Sequence, residues 1–252
     1  KQKNKKMGKY FTVEVKPTIP TVLVGQHAAF ANGEILFDWH AFDIPKGAAR
    51  LIGASVELRP KGNGNADPNT FALELMLAKS KTGVAPITLG AVNAAPTAIL
   101  NPDRMISYIP IVAGDFGAEL DSIAFAQATP KSPVVLDGEH ATGTNVGYDK
   151  YYIAGIAGDA IDFTSLTRIN NGDLDGPTMT TSGTDPRLFL DVGDTVAVTT
   201  AADTAVTKAM GEIASMTATT IVLTEAFTTA DVVHTDFVYN VSPITVKLHF
   251  EK

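Results

Sequence analysis

A loop just after residue 170 carries the residues whose types and spacing come closest to a ligand site. Asn171, Asp173 and Asp175 alternate immediately before Gly176, as oxygen-bearing side chains do at the start of a calcium-binding loop. Oxygens spaced in this way can converge on a hard cation. The acidic residue that should close such a loop is absent, because Ser182 occupies its place. We therefore expect a turn in which Asx side chains bind the backbone, with a calcium site as the alternative.

Recognised catalytic motifs are missing from the sequence. It has no G-x-S-x-G elbow, no H-E-x-x-H pair, no P-loop and no G-x-G-x-x-G turn after a strand. Zero cysteines exclude disulfides and thiolate chemistry. The histidines are scattered singly, at His27, His40, His140, His234 and His249. We predict no catalytic residue, no cofactor and no enzymatic activity, and we expect Asp191 and Asp194 to serve turn hydrogen bonds.

Period-two alternation of apolar and polar residues predicts β-strands along the whole chain. The apolar sides of four such strands are Phe11, Val13 and Val15; Ile52, Ala54, Val56 and Leu58; Phe71, Leu73, Leu75 and Leu77; and Ile244, Val246, Leu248 and Phe250. The same pattern assigns Trp39 to the core and points His40 the other way. It also puts His249 on the polar side of the last strand, as a solvated or interfacial imidazole.

Turn-forming residues separate the predicted strands, and several of these connections are longer than about 12 residues, a length beyond which loops are uncommon and usually have a function. Examples are DGEHATGTNVGYD and NNGDLDGPTMTTSGTDP. Long crossovers between short antiparallel strands are typical of Greek-key sandwiches and jelly rolls. The predicted fold class is all-β, an antiparallel β-sandwich of jelly-roll-like type with a second, small β-barrel-like domain inserted near the C-terminus.

A change of composition near residue 187 suggests where the second domain begins. From there to residue 240 the chain is rich in Thr, Ala, Val and Asp, and residues 210–227, MGEIASMTATTIVLTEAF, read as a hairpin. The patterns GD-x-V, G-x-I-x-x-M and T-x-I-x-L resemble small five-stranded barrels of SH3-like or OB-like type. We predict a sandwich of residues 10–186 plus 241–252, with 187–240 inserted. A simple C-terminal domain is the alternative.

The charge is distributed unevenly. The chain has a net charge of −7, but the first nine residues hold five lysines, which leaves 15 basic against 27 acidic residues and a net charge of −12 for the remainder. These lysines are Lys1, Lys3, Lys5, Lys6 and Lys9. Residues 1–9 are either a solvated terminus or a basic arm that lies on an acidic partner surface or on nucleic acid, and we take its lysines as the candidate partner-binding residues.

Nucleic acid and membranes are disfavoured as partners. An acidic body repels the phosphates of a duplex. No apolar run approaches the roughly 18 residues of a membrane-spanning helix, and no apolar segment follows the first lysines as it would in a signal peptide. We expect neither a membrane nor nucleic acid as partner.

Several stretches of the chain resemble virion structural proteins of tailed bacteriophages, and head decoration (cement) proteins in particular. They are GEILFDWHAFDIPKGAARLIGASVELRPKG, FALELMLAKS, PITLGAVNAAP, GDTVAV and MGEIASMTATTIVLTEAF. The resemblance covers most of the chain and lies in strand pattern and in Ala, Thr and Gly content. It implies a homo-oligomer, often a trimer, on the capsid surface, with the major capsid protein or other virion proteins as partners. It assigns no functional residue.

Two other classes of function stay open. A glycan-binding module or adhesin requires exposed aromatic side chains, and the chain has 8% aromatic residues with one Trp. An enzyme requires a cluster of carboxylates or histidines that the spacing does not reveal.

Overall fold

Alternating apolar residues form strands that make up nearly all of the regular structure. A computed structural model describes residues 9–19, 30–45, 47–59, 70–80, 84–97, 104–120, 123–130, 134–138, 150–161, 163, 168–170, 176–182, 185–199, 207–226 and 236–252. The strands in these residues are β1 (Tyr10–Val15), β2 (Ile35–Phe42), β3 (Gly47–Leu58), β4 (Leu73–Lys79), β5 (Met105–Ile111), β6 (Phe116–Leu120), β7 (Ile123–Ala128), β8 (Val134–Gly138), β9 (Tyr151–Ala157), β10 (Arg168–Ile169), β11 (Thr178–Ser182), β12 (Thr195–Thr199), β13 (Thr207–Met216), β14 (Thr220–Leu223), β15 (Phe237–Asn240) and β16 (Ile244–Glu251).

Helical structure in the described residues is confined to two 3-10 turns of three residues, Ala113–Asp115 and Pro186–Leu188. Within those residues, no helix has the length and apolar character needed to cross a membrane.

The larger sheet has six antiparallel strands in the order β1-β16-β3-β7-β6, with β8 also paired to β3. Strand β3 is 12 residues long, so its first half pairs with β8 and its second half with β7. Strand β16 lies between β1 and β3, where Val246 is opposite both Val15 and Val56. This register brings apolar side chains of three strands to the same face of the sheet.

The smaller sheet has four antiparallel strands in the order β2-β9-β4-β5. Strand β5 lies at its edge and contains Pro110. A proline cannot donate to a ladder of hydrogen bonds, so an edge position suits it. The central strand β9, YYIAGIA, is almost completely buried, because both faces of this sheet are covered over part of their area.

The two sheets pack face to face and enclose the main core. Val56, Leu75 and Leu248 are each 0% exposed and belong to this core. Burial of such a side chain contributes about 1.5–3 kcal/mol relative to its exposure to water. The predicted all-β fold with an antiparallel sandwich is confirmed by this arrangement.

The second unit is a ring of six strands in the order β10-β11-β14-β13-β12-β15, closed by pairing of β15 with β10. Its separate core includes Met179, Val196, Ile213 and Ile221. In the chain, its strands lie between β9 and β16. The ring begins at Arg168, however, so it starts earlier than residue 187. The reason is that β11, TMTTS, buries only Met179 and Thr181, a pattern too short and too polar to be recognised as a core strand.

Strand β15 joins the two units because its side chains alternate between their cores. Val238 packs into the barrel core, whereas Phe237 and Tyr239 pack into the sandwich core. The backbone continues this junction, since Val241 donates to the Thr195 carbonyl at 3.0 Å and accepts from the Ile19 N–H at 2.9 Å.

Candidate functional site

Most of the predicted site residues lie outside the part of the chain that the structure describes. The calcium candidates Asn171, Asp173 and Asp175 are among them, and so are the first four lysines of the basic arm. Lys9 is described: it is exposed beside the start of β1, and its carbonyl accepts from the Lys252 N–H at 2.8 Å. In the described residues, no group of three or more His, Asp or Glu side chains could hold a metal ion.

The predicted turn at Asp191 and Asp194 forms, and its carboxylates also connect the two units. The Asp191 N–H donates to Asp194 Oδ2 at 2.9 Å, and Gly193 adopts the positive φ of 88° that the turn requires. In addition, Lys16 Nζ lies 3.6 Å from Asp194 Oδ1, and Arg59 lies 3.7 Å from Asp191 Oδ2. These aspartates therefore have structural roles at the junction of barrel and sandwich.

Hydroxyl groups on neighbouring strands orient His249 on the outer face of the six-stranded sheet. Its Nδ1 lies 3.2 Å from Thr12 Oγ1, and its Nε2 lies 2.6 Å from Ser55 Oγ. The imidazole is half-buried and lines a cleft of about 530 Å³ that also contacts Asp115 and Gln127. Ser55 is 2% exposed, so the cleft reaches the imidazole rather than the serine hydroxyl.

His40 does not point away from the sandwich core as strand alternation predicted. The pairing of β2 with β9 shifts register between Phe37 and His40. This shift brings the two rings to the same side, with centroids 6.2 Å apart and planes at 88°. Trp39 is half-buried on the outer face of the four-stranded sheet rather than in the main core.

A segment that we call the strap, residues 84–97, packs on that outer face. Leu89 on the strap is 0% exposed and packs against Ile35 and Ala154. Its N–H donates to Asp38 Oδ1 at 3.0 Å, and the Trp39 indole N–H donates to the Ile87 carbonyl at 2.9 Å. The strap is therefore fixed to β2 at Leu89 and Ile87, and its first residues are held beside the start of β5, where the Arg104 guanidinium donates to the Val84 and Ala85 carbonyls.

Apolar side chains near β5 and on the strap form a set that we call the apolar stripe, which consists of Val84, Ile87, Met76, Tyr108 and Val112. Val84, Ile87, Tyr108 and Val112 are 58%, 52%, 41% and 55% exposed. Met76 is half-buried and lies opposite Tyr108 in the register of β4 and β5. Patches of large exposed apolar side chains are typical of interaction sites.

A groove of about 370 Å³ continues the apolar stripe at one end of the sheet. Its apolar lining includes Pro110, Ile111, Val112 and Ile156, and it also contains Glu74. Glu74 lies opposite Pro110 and Ile156 in the strand register. It is exposed, and no described residue makes a hydrogen bond or ion pair with its carboxylate.

Three further carboxylates are bound to residues that line this groove or lie next to them in the chain, and each accepts from a backbone N–H group. Asp159 Oδ2 accepts from Ala72 at 3.0 Å, and Asp115 Oδ2 accepts from Val112 at 2.9 Å. Both donors line the groove. Glu34, next to the lining residue Gly33, accepts from the Ala31 N–H at 2.6 Å. The groove is thus mostly apolar, with Glu74 in its lining and further carboxylates bound to or next to lining residues.

Sequence reasoning missed the stripe and the groove. One sequence feature did indicate that the outer face of the four-stranded sheet is partly covered. The residues of β9 are apolar on both sides, and such a strand predicts that both faces of its sheet are covered. The groove left no local signal, since Gly33, Glu74, Pro110 and Gly158 are far apart in the chain and meet only in the folded sheet.

One ion pair on the barrel shifts the pKa values of both its partners. The Asp185 side chain accepts from the Arg187 guanidinium at 2.7 Å and from the Arg187 N–H at 3.0 Å. The hydrogen bond from the Arg187 side chain is the main cause that lowers the pKa of Asp185 from its ordinary value, and Asp185 in turn raises the pKa of Arg187. The pair caps the 3-10 turn Pro186–Leu188.

Comparison with known proteins gives no family for this chain. No protein-family model matches it, and no curated protein matches it. Among solved structures, the VP2 subviral particle of infectious bursal disease virus aligns with 98% of this chain and 42% of its own, at 11% identity and a TM-score of 0.16. The Gx strain of the same virus gives the same values. This chain spans less than half the length of those proteins, and such low TM-scores carry no argument.

Proposed function

We propose that the protein is a non-enzymatic structural protein of a phage particle. In this proposal it decorates or cements the capsid surface as a homo-oligomer, with a trimer as the favoured state, and binds the major capsid protein or other virion proteins through broad sheet surfaces. The proposal starts from the resemblance of the sequence to head decoration proteins.

The observation that best supports this proposal is the apolar stripe beside β5. Tyr108 and Val112 are large side chains on a fixed sheet edge, and they are 41% and 55% exposed. An extended surface of this kind suits contact with another subunit, because protein interfaces bury broad areas rather than deep pockets. The strap also supports the proposal. The hydrogen bond from the Trp39 indole N–H to the Ile87 carbonyl holds this part of the strap, with its exposed apolar side chains, in place.

The proposal is tested by measuring mass in solution and binding to phage capsid shells. We expect the purified chain of 26.5 kDa to form a defined oligomer by light scattering and to co-sediment with the shells. The double variant Tyr108→Ser and Val112→Asn should weaken one or both of these associations. The matched control is Val192→Asn on the barrel, since Val192 is 59% exposed.

Two results would contradict the proposal. One is a wild-type chain that stays monomeric at every concentration and does not sediment with capsid shells. The other is specific binding of a glycan by the isolated monomer on a glycan array, which would support the alternative of a glycan-binding module or adhesin.

A further inference from the structure

The groove at the end of the four-stranded sheet has the chemistry of a binding site for a basic segment. Its lining is apolar apart from Glu74 and Asn32, and no Lys or Arg is among the residues that line it. Glu74 projects from a sheet face between Pro110 and Ile156 without a described partner. Asp115 and Asp159 accept hydrogen bonds from the lining residues Val112 and Ala72 and add further negative charge near the groove. A ligand that fits must combine positive charge with some apolar surface.

The basic arm of this same chain has that composition. Residues 1–9, KQKNKKMGK, carry five lysines and Met7 and no acidic residue. The rest of the chain has a net charge of −12. The positive arm is therefore complementary in charge to the whole remaining chain as well as to the groove. We propose that the basic arm of one copy lies in the groove of a neighbouring copy. This inference rests on the proposed function and names the contact through which copies associate.

The position of Lys9 favours a neighbouring copy over the same chain. Tyr10 lies opposite Glu251, and Glu251 lies opposite Arg50 near the start of β3. The short connection from Phe42 to β3 places the end of β2 at this same end of the sandwich. The groove lies at the other end, beside Gly33, before β2 begins.

Distances along the chain also favour the groove of a neighbouring copy. The eight residues of β2 span about 26 Å at roughly 3.3 Å per residue. Lys5 and Lys6 precede Lys9 by four residues or fewer, so they reach about 14 Å from it even when the backbone is fully extended. Within one chain, Lys5, Lys6 and Lys9 therefore stay near the end of the sandwich opposite the groove. In an oligomer the groove of the next copy can lie directly beside Lys9.

An arm that binds the next copy makes a head-to-tail contact. Contacts of this type close into a ring when the rotation between copies allows it. The groove shares Val112 with the apolar stripe, so the arm and the stripe would form one continuous interface.

The absence of cysteine from the chain allows a direct test by disulfide trapping. Full-length Met7→Cys is mixed with full-length Val112→Cys, each with a tag of different mass, and the mixture is oxidised mildly. We expect a covalent heterodimer at a yield at least about fivefold above the control, because docking raises the effective concentration of the two thiols. The control replaces Val112→Cys by Val192→Cys, at a position of matched exposure.

Charge reversal supplies the second measurement. Glu74→Lys in the copy that carries Val112→Cys should lower the heterodimer yield about fivefold, as expected when an attractive charge becomes repulsive. Glu212→Lys, at an exposed carboxylate on β13, should leave the yield unchanged. Equal yields for Val112→Cys and Val192→Cys, or no effect of Glu74→Lys, would overturn the inference.

Two other outcomes separate this inference from the proposed function. A single chain that carries both cysteines could close on itself as a covalent monomer, which would place the arm in its own groove and refute exchange between copies. If trapping fails but the wild-type protein still forms oligomers and sediments with capsid shells, the inference is wrong and the proposed function stands.

Discussion

Replacement of Gly155 by alanine should destabilise the sandwich. Gly155 is buried on β9, opposite Phe37 on β2 and Leu75 on β4. A Cβ at this position would lie under 3.0 Å from three carbons of the Phe37 ring. That ring is 1% exposed in the main core, so it cannot move towards solvent and must displace its neighbours.

The size of the effect follows from two opposing terms. Alanine restricts the unfolded chain more than glycine does, which should stabilise the protein by about 0.4–1 kcal/mol where the backbone tolerates it. Overpacking of a well-packed core costs about 1–3 kcal/mol. The second term is larger, and we expect the free energy of unfolding to fall by about 1–2 kcal/mol.

Urea unfolding followed by fluorescence and circular dichroism measures this change. The control is Gly117→Ala on the edge strand β6, where the nearest atom to a new Cβ is the Phe125 carbonyl oxygen at 3.9 Å. Its free energy of unfolding should stay within about 0.5 kcal/mol of wild type. Phe37→Leu should make room, so the double variant with Gly155→Ala should lose at least about 0.5 kcal/mol less than the sum of the single variants.

Either of two results would contradict the expected strain between Gly155→Ala and the Phe37 ring. Equal urea midpoints for Gly155→Ala and Gly117→Ala would mean that the ring over Gly155 yields freely. Strict additivity of Gly155→Ala and Phe37→Leu would mean that the two positions do not share the strain.

Three further expectations concern the junction, the barrel and the strap. Asp194→Ala removes a carboxylate that is nearly buried and bound within its turn, so it should lower the free energy of unfolding by about 1–3 kcal/mol. Arg59→Ala breaks an ion pair with an exposed partner, so it should lower the free energy of unfolding by less than about 1 kcal/mol. Because Arg187 lowers the pKa of Asp185 below 3.8, the stability from this pair is complete above that value and is lost as pH falls through the lower folded pKa. Asp185→Asn should therefore reduce stability near pH 6, and its effect should shrink as pH falls below 3.8. Trp39→Phe removes the indole hydrogen bond to the strap and should cost about 0.5–1.5 kcal/mol.

Each of these expectations has a distinct measurement. Urea midpoints rank Asp194→Ala against Arg59→Ala, and the reverse order would contradict the assigned roles. Thermal unfolding of wild type and Asp185→Asn across the acid range should show two curves that converge at low pH, and a constant gap would show that the cap acts without its charge. Limited proteolysis should cut the strap faster in Trp39→Phe than in wild type, and unchanged cleavage would contradict its anchoring role.

Alternation in the sequence predicts the central strands well, because both sheets have one face in the main core. Strand β16 shows this directly: Ile244, Val246, Leu248 and Phe250 are all 0% exposed. The same rule fails at a β-bulge. His249 pairs with Gly53 but Phe250 pairs with Leu51, so Leu51 enters the core and Ile52 does not. A register shift of this kind depends on the partner strand, which local periodicity does not contain.

The candidate contact surfaces could be predicted only in part. The clustering of lysines in the arm is a property of the sequence, and so is the acidity of the rest of the chain. The groove is different, because Gly33, Glu74, Pro110 and Gly158 come from four segments brought together by the strand order β2-β9-β4-β5. That order is a property of the topology, and no spacing in the chain encodes it directly.

The placement of β15 means that the barrel is not an exchangeable module. Excision of residues 187–240 would delete Phe237 and Tyr239 from the sandwich, and it would leave β10 and β11 without the strands that complete their ring. A swap of the barrel between related chains would therefore have to carry β10 to β15 together and preserve two aromatic side chains for the host. Sequence variation among related chains should therefore concentrate in the turns of the barrel, and exchange of the whole barrel should be rare.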